Sequence, residues 1–222
     1  MMRNTSFLTG FSAVALVLVA MWSAMPGGAA TLKAQNSPSA SLQSSENSDR
    51  LVLDEQEARL ASVAHLLPPD TKSLISTGEL NYGEFVWSDV DPGKGDVTVW
   101  VDLRRQMVSV YRAGHEIGTA VMLYGKPGKE TPLGTFKVLR KVADYHSRTY
   151  DSPMPYSLFI THDGVALHGS DVRFGRATHG CIGLPEAFAK HLYQALGVGD
   201  EVTIVYSDAG ETERIAGKSE FR

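Results

Sequence analysis

From Asp96 onward, apolar side chains recur at every second position. Val97, Val99 and Val101 alternate with polar or aromatic residues, the period of a strand that buries one face. Residues 106–112 (QMVSVYR) repeat the pattern after a short polar turn, and residues 117–124 and 134–139 continue it. Residues 157–161 and 165–167 flank His162, Asp163 and Gly164, a hairpin composition in which glycine accepts a positive φ. Residues 201–206 read as a last strand. Residues 185–196 have the character of a helix, with Pro185 near its first position and Gly197 past its end. Many short strands with few helices predict a mainly β domain over 96–206, a sandwich or partial barrel.

The flanking segments differ in kind. In 51–95, Leu60, Val63, Ala64 and Leu67 share one helical face, Asp54 is placed to cap it and Pro68–Pro69 stops it. Residues 70–78 read as a second short helix. Too short to hold a core of its own, 51–95 is expected as a helical accessory segment packed on the main domain. Residues 31–50, rich in Ser, Asn and Gln, are expected as a disordered spacer. Residues 207–222 are polar and expected as a flexible tail.

Residues 1–30 have the pattern of a targeting segment. Arg3 precedes an uncharged run from Asn4 to Leu32, and Pro26, Gly27 and Gly28 lead into the small pair Ala29–Ala30, as in a signal peptide. The alternative is a retained membrane anchor, since residues 7–25 at about 1.5 Å each nearly cross a hydrocarbon core of roughly 30 Å. Either reading sends the remaining chain to the periplasm or cell envelope. A net charge of −4 without a long basic block argues against nucleic acid as a partner.

The chain holds one cysteine, Cys181, which excludes an internal disulfide and a cysteine-built zinc site. It lies in VALHGSDVRFGRATHGCIGLP, residues 165–185, with His168 and His179. A free thiol is mostly protonated at pH 7 and needs a base. The amides around Gly180–Cys181 are candidates to face an oxyanion, worth about 3 kcal/mol per donor in the transition state. The expected helix start after Pro185 is a second candidate stabiliser of the anion. Spacing alone leaves both histidines open as the base: His179 lies two residues before the thiol, and a loop can return His168 to it. His162, His168, His179 and Cys181 fit no zinc spacing.

These motifs resemble the L,D-transpeptidase catalytic domain, the YkuD-like family. That family carries a His-Gly pair after a strand and then Ser/Thr-His-Gly-Cys. This sequence has His168–Gly169 and Thr178–His179–Gly180–Cys181. Upstream, residues 125–136 (GKPGKETPLGTF) resemble the family's Gly…Thr-Pro-x-Gly-x-Phe segment, and Met154–Pro155–Tyr156 resembles one exported subgroup. The resemblance covers about 96–206 and implies a β-sandwich-like catalytic domain.

By the same resemblance, Cys181 is the nucleophile and His168 its base, oriented by the carbonyl of Gly169. His179, Gly180 and Thr178 support the thiol and the oxyanion pocket. Members commonly carry Arg or Asn two residues after the cysteine, where this chain has Gly183. Arg173 or Arg176 is a candidate to contact substrate in its place, and Tyr156 is a further substrate-binding candidate. The implied activity is acyl transfer on peptidoglycan stem peptides through a cysteine thioester, with no cofactor. The acceptor is a stem diamino acid, an envelope-protein lysine, a free D-amino acid or water. The competing readings are a peptidoglycan-binding module without catalysis and a thiol hydrolase on another amide.

Overall fold

A computed structural model describes residues 50–208. The expected signal or anchor (1–30) lies outside the described residues, as do nearly all of the spacer (31–50) and of the tail (207–222). Among the described residues no helix is long and apolar enough to cross a membrane.

The elements follow in the order β1 (Arg50–Val52), α1 (Glu55–Val63), β2 (Ser73–Ile75), β3 (Phe85–Trp87), β4 (Val97–Asp102), β5 (Met107–Arg112), β6 (His115–Val121), β7 (Gly134–Lys137) and β8 (Arg140–Val142). Then come β9 (His146–Ser147), β10 (Ser152–Pro153), β11 (Ser157–Phe159), β12 (Ala166–Ser170), β13 (Ile182–Pro185), α2 (Glu186–Ala195) and β14 (Glu201–Val205). The larger sheet runs β1-β2-β6-β5-β4-β14-β7, and β3 pairs with β6 as well. The smaller sheet runs β13-β12-β11-β8, and β9 with β10 forms a separate hairpin.

The alternation read from the sequence is what the core uses. Val97, Val99 and Val101 of β4 and Val108 and Val110 of β5 are buried, as are Leu158, Leu167, Ile182 and Leu184 of the smaller sheet. Phe188 and Leu192 of α2 complete the same cluster. At about 25 cal/mol per Å² of apolar surface removed from water, this shared interior is the main term holding the two sheets together. Phe85 and Trp87 of β3 meet Phe188 edge-on at 5.8 and 5.5 Å. Lys141 of β8 closes the far end of α2, donating to the carbonyls of Tyr193 and Leu196, where a cation complements the helix dipole. The domain is therefore mainly β with two short helices, as expected.

Several boundaries differ from expectation. Segment 51–95 holds one helix but also three strands. The helix is capped as foreseen: Asp54 Oδ1 accepts from the Glu57 N–H at 2.8 Å, and Glu57 returns the bond to the Asp54 N–H. Residues 70–78, expected as a helix, contain β2 instead, because pairing with β1 and at Ser73↔His115 with β6 satisfies their main chain. Arg50, counted with the spacer, starts β1 and donates to Ser73 Oγ at 3.0 Å. Ser207, counted with the tail, is 1% exposed, and the Asp208 N–H reaches the Ala64 carbonyl at 3.2 Å.

Candidate active site

The stretch expected as a loop between the histidines and the helix contains β13, which lies parallel to β12 with His168 opposite Gly183 and Leu167 opposite Ile182. Side chains alternate across a strand. Leu167 and Ile182 face the core at 0% exposure. His168 and Gly183 therefore face the other way, and Cys181, one residue before β13, shares that face. Its contacts agree, since the thiol packs with Ala166, Met154 and Phe159, a cluster separate from the main core. The smaller sheet thus presents His168 and Cys181 side by side on one surface.

His168 is 8% exposed. Its Nδ1 lies 2.8 Å from the Gly169 carbonyl, which only accepts, so Nδ1 carries the hydrogen and Nε2 is the basic nitrogen. Burial pushes the imidazole below its ordinary range, and the Gly169 bond opposes this. Cys181 Sγ lies 3.8 Å from the Gly164 carbonyl. Burial pushes its thiol up, and a hydrogen bond from the Ala166 amide opposes this. Both shifts favour a neutral thiol beside a neutral imidazole at rest. The helix does not assist the thiol. Between Cys181 and α2 run the four residues of β13, about 15 Å of extended chain, well beyond the first turn over which a helix end acts.

The main chain around Cys181 is tied on several sides. Gly180 has φ +114°, a conformation glycine adopts readily. Thr178 Oγ1 accepts from the Gly180 N–H at 3.3 Å and donates to the Cys181 carbonyl. The chain at 123–126 runs along the other edge of β13: Leu123 exchanges N–H···O bonds with Gly183 at 2.8 and 2.9 Å, and the Lys126 N–H reaches the Thr178 carbonyl at 3.1 Å.

The remaining candidates have other partners. His179 stacks its ring on Tyr150, between β9 and β10, at 4.3 Å and 17°. Arg173 and Arg176 both turn to Asp171 in their own loop, at 2.7 and 3.6 Å. Tyr156, at φ +57°, has its ring 6.0 Å from Tyr193 of α2. Tyr150 and Thr131 were not singled out by sequence reasoning. Thr131 belonged to the Thr-Pro-x-Gly motif, which pointed to it without giving it a task. Two cavities, of about 660 Å³ beside Trp100 and Glu116 and about 360 Å³ beside Trp87 and His191, hold neither Cys181 nor His168. Among the described residues no cluster of three His, Cys, Asp or Glu side chains is arranged to hold a metal.

Comparison with known proteins adds a family to this geometry. Residues 96–204 match the family model YkuD, the L,D-transpeptidase catalytic domain. L,D-transpeptidase 1 of Mycobacterium tuberculosis is 26% identical over an alignment of 155 positions that covers 62% of this chain and 59% of that protein. The chain thus spans under two thirds of that relative's length. Among solved structures, an L,D-transpeptidase from Stackebrandtia nassauensis is 28% identical over 55% of this chain and 61% of its own, with a TM-score of 0.48. One from Mycobacterium smegmatis is 25% identical over 50% and 58%, with a TM-score of 0.46.

Proposed function

Residues 96–204 belong to the L,D-transpeptidase catalytic domain family, and we propose on that footing that this chain is an exported transpeptidase of peptidoglycan working through a Cys181 thioester. The observation that carries the reading is the parallel register of β12 and β13, which turns His168 and Cys181 to one face. The hydrogen bond from Nδ1 to the Gly169 carbonyl leaves Nε2 as the base.

The steps follow from a neutral resting pair. Sγ attacks the carbonyl of an L-centre joined to the terminal D-residue of a stem tetrapeptide, and His168 Nε2 takes the thiol proton. Main-chain N–H groups about Cys181 stabilise the tetrahedral oxyanion. The imidazolium then gives its proton to the leaving amine of the D-residue, and the thioester remains. An acceptor amine attacks the thioester and loses its proton to His168, which restores the thiol. A stem diamino acid gives a 3→3 cross-link, an envelope-protein lysine gives an attached protein, and a free D-amino acid gives exchange. Water gives trimming. The chemistry needs a thiol, a base and amide donors, and no cofactor. Export through residues 1–30 brings the enzyme to the periplasm or cell envelope, where these substrates are.

The test is incubation of the purified protein with disaccharide tetrapeptides, read by mass spectrometry. Expected are 3→3 dimers or released D-residue, both lost in Cys181→Ala. No turnover, or turnover that survives the substitution, rejects the reading. A carbapenem separates catalysis from mere binding, because only a competent thiol gains a covalent adduct.

A further inference from the structure

A single buried hydroxyl joins two loops behind the nucleophile. Thr131 is 4% exposed. Its Oγ1 accepts from the Gly125 N–H at 2.9 Å and donates to the Gly180 carbonyl at 3.0 Å. A hydroxyl has one hydrogen, so this arrangement uses it once and satisfies both main-chain groups. Gly125 belongs to the strand-like run that also bridges Thr178. The second bond crosses 49 residues of sequence to reach the nucleophile loop.

The carbonyl of Gly180 and the N–H of Cys181 belong to one peptide plane. No peptide among the described residues is cis, so the two groups point in opposite directions. Holding the carbonyl on Thr131 therefore fixes the direction of the Cys181 N–H on the far side of the plane. Gly180 supplies no side chain to restrain that plane. The following carbonyl, that of Cys181, is held by Thr178 Oγ1, so rotation about the nucleophile is limited from both sides.

We infer that Thr131 is a positioning residue for acyl transfer: it sets the Gly180–Cys181 peptide plane so that the Cys181 N–H meets the oxyanion formed when Sγ attacks. The inference rests on Cys181 being the acyl-transfer nucleophile. Thr131 bonds to Gly125 and Gly180, not to the thiol or the imidazole, so it acts on the transition state and leaves the thiol's own reactivity alone.

The experiment compares two reactions of the full chain. p-Nitrophenyl acetate acylates a thiol through a tetrahedral oxyanion: the S–C bond forms, p-nitrophenolate leaves, and the thiol proton passes to His168. Iodoacetamide alkylates the same sulfur without any oxyanion. In Thr131→Val the acylation burst should slow by roughly 10- to 100-fold, the order expected for a misdirected oxyanion donor. Alkylation across pH should stay within about two-fold, because no oxyanion forms in it. Thr131→Ser, which keeps the hydroxyl, should restore the burst. Thr131→Ala removes the hydroxyl a second way if valine disturbs folding, which denaturant unfolding reports. A Thr131→Val burst near the wild-type rate overturns the inference. So does a parallel loss of both reactions that serine does not rescue, which marks a merely structural role. A wild-type burst without turnover of stem peptides rejects the peptidoglycan reading and leaves the Thr131 result standing. A wild type without a burst overturns both.

Discussion

The two faces of the β12–β13 pair differ in kind. On one, Leu167, Ile182 and Leu184 are completely buried against Phe188 and Leu192 of α2. On the other, His168 Nδ1 meets the Gly169 carbonyl, and Cys181 Sγ meets main-chain groups of Ala166 and Gly164. Apolar packing on the first face holds the ladder in register. The register in turn brings a thiol and an imidazole from two separate motifs to one place. Adjacent residues of one strand should then have different phenotypes, one in chemistry and the next in stability.

His168→Gln is the sharper half of that contrast. It removes the base while keeping an amide able to donate toward the Gly169 carbonyl. Acyl transfer should fall by about 10²- to 10⁴-fold, with little change in the urea unfolding midpoint. A fall of less than about ten-fold would move the base away from His168 and return His179 to consideration. Leu167→Ala, one residue earlier, should do the reverse. A fully buried leucine costs about 2–5 kcal/mol on truncation, read by urea unfolding. The folded fraction should acylate at close to the wild-type rate. If Leu167→Ala abolishes chemistry in molecules that remain folded, the two faces are not separable and the register argument fails.

How much of this could be read from the sequence follows the same division. The strands β4 and β5 were legible because burial alternates along much of each. The hairpin of β11 and β12 was legible from Gly164, and the start of α1 from Asp54 as its cap. By contrast, β13 was not legible. Its sequence, IGLP, contains glycine and proline, which are rare in strands, and all four residues are buried, so no alternation appears. Missing β13 misplaced the helix start beside the thiol. The strand β2 was hidden because Leu74 and Ile75 suit a helix as well as a strand, and long-range pairing decides. Cys181 stood out as the one thiol, resemblance chose His168 over His179 as its base, and their shared face came only from register. Thr131 had a motif but no visible task, because its partner is 49 residues away.

The pH dependence sharpens the contrast at a smaller scale. Burial lowers the His168 pKa, so the base stays unprotonated to more acid pH. The acid limb of acyl transfer should lie below about 6.5, the ordinary imidazole value, and fall about ten-fold per pH unit beyond it. Burial raises the Cys181 pKa. In His168→Gln, where no base assists, iodoacetamide alkylation should therefore rise only above about 8.5, the ordinary thiol value. For stability both signs are unfavourable. The unfolded chain binds the imidazole proton more readily, so His168 weakens folding as pH falls below the ordinary imidazole value. The unfolded thiol loses its proton first, so Cys181 weakens folding as pH rises above its ordinary value. An acid limb above 6.5, or a thiol alkylated fully at neutral pH without His168, would overturn the neutral resting pair.

The smallest effect concerns Gly183, where the resemblance leads one to expect Arg or Asn. A Cβ built there meets Ser170 Cβ at 3.1 Å, Ser170 Oγ at 3.2 Å and Leu123 Cβ at 3.4 Å. Ser170 is two residues beyond His168 on the same face of β12, so the space a longer side chain would need beside the base is partly taken from the opposite strand. Gly183→Ala should cost about 1 kcal/mol through this crowding, read by urea unfolding. If Ser170 is the obstacle, the cost should largely disappear in a Ser170→Gly background, with a coupling of about 1 kcal/mol between the two sites. An equal cost in both backgrounds would assign the limit to Leu123, which is bound to β13 through its main chain and cannot withdraw. The two outcomes differ in consequence. A limit set by Ser170 means that glycine and serine occupy together the room that one larger residue would need, and the double variant should then accept Asn at 183. A limit set by Leu123 would keep the position small whatever stands at 170.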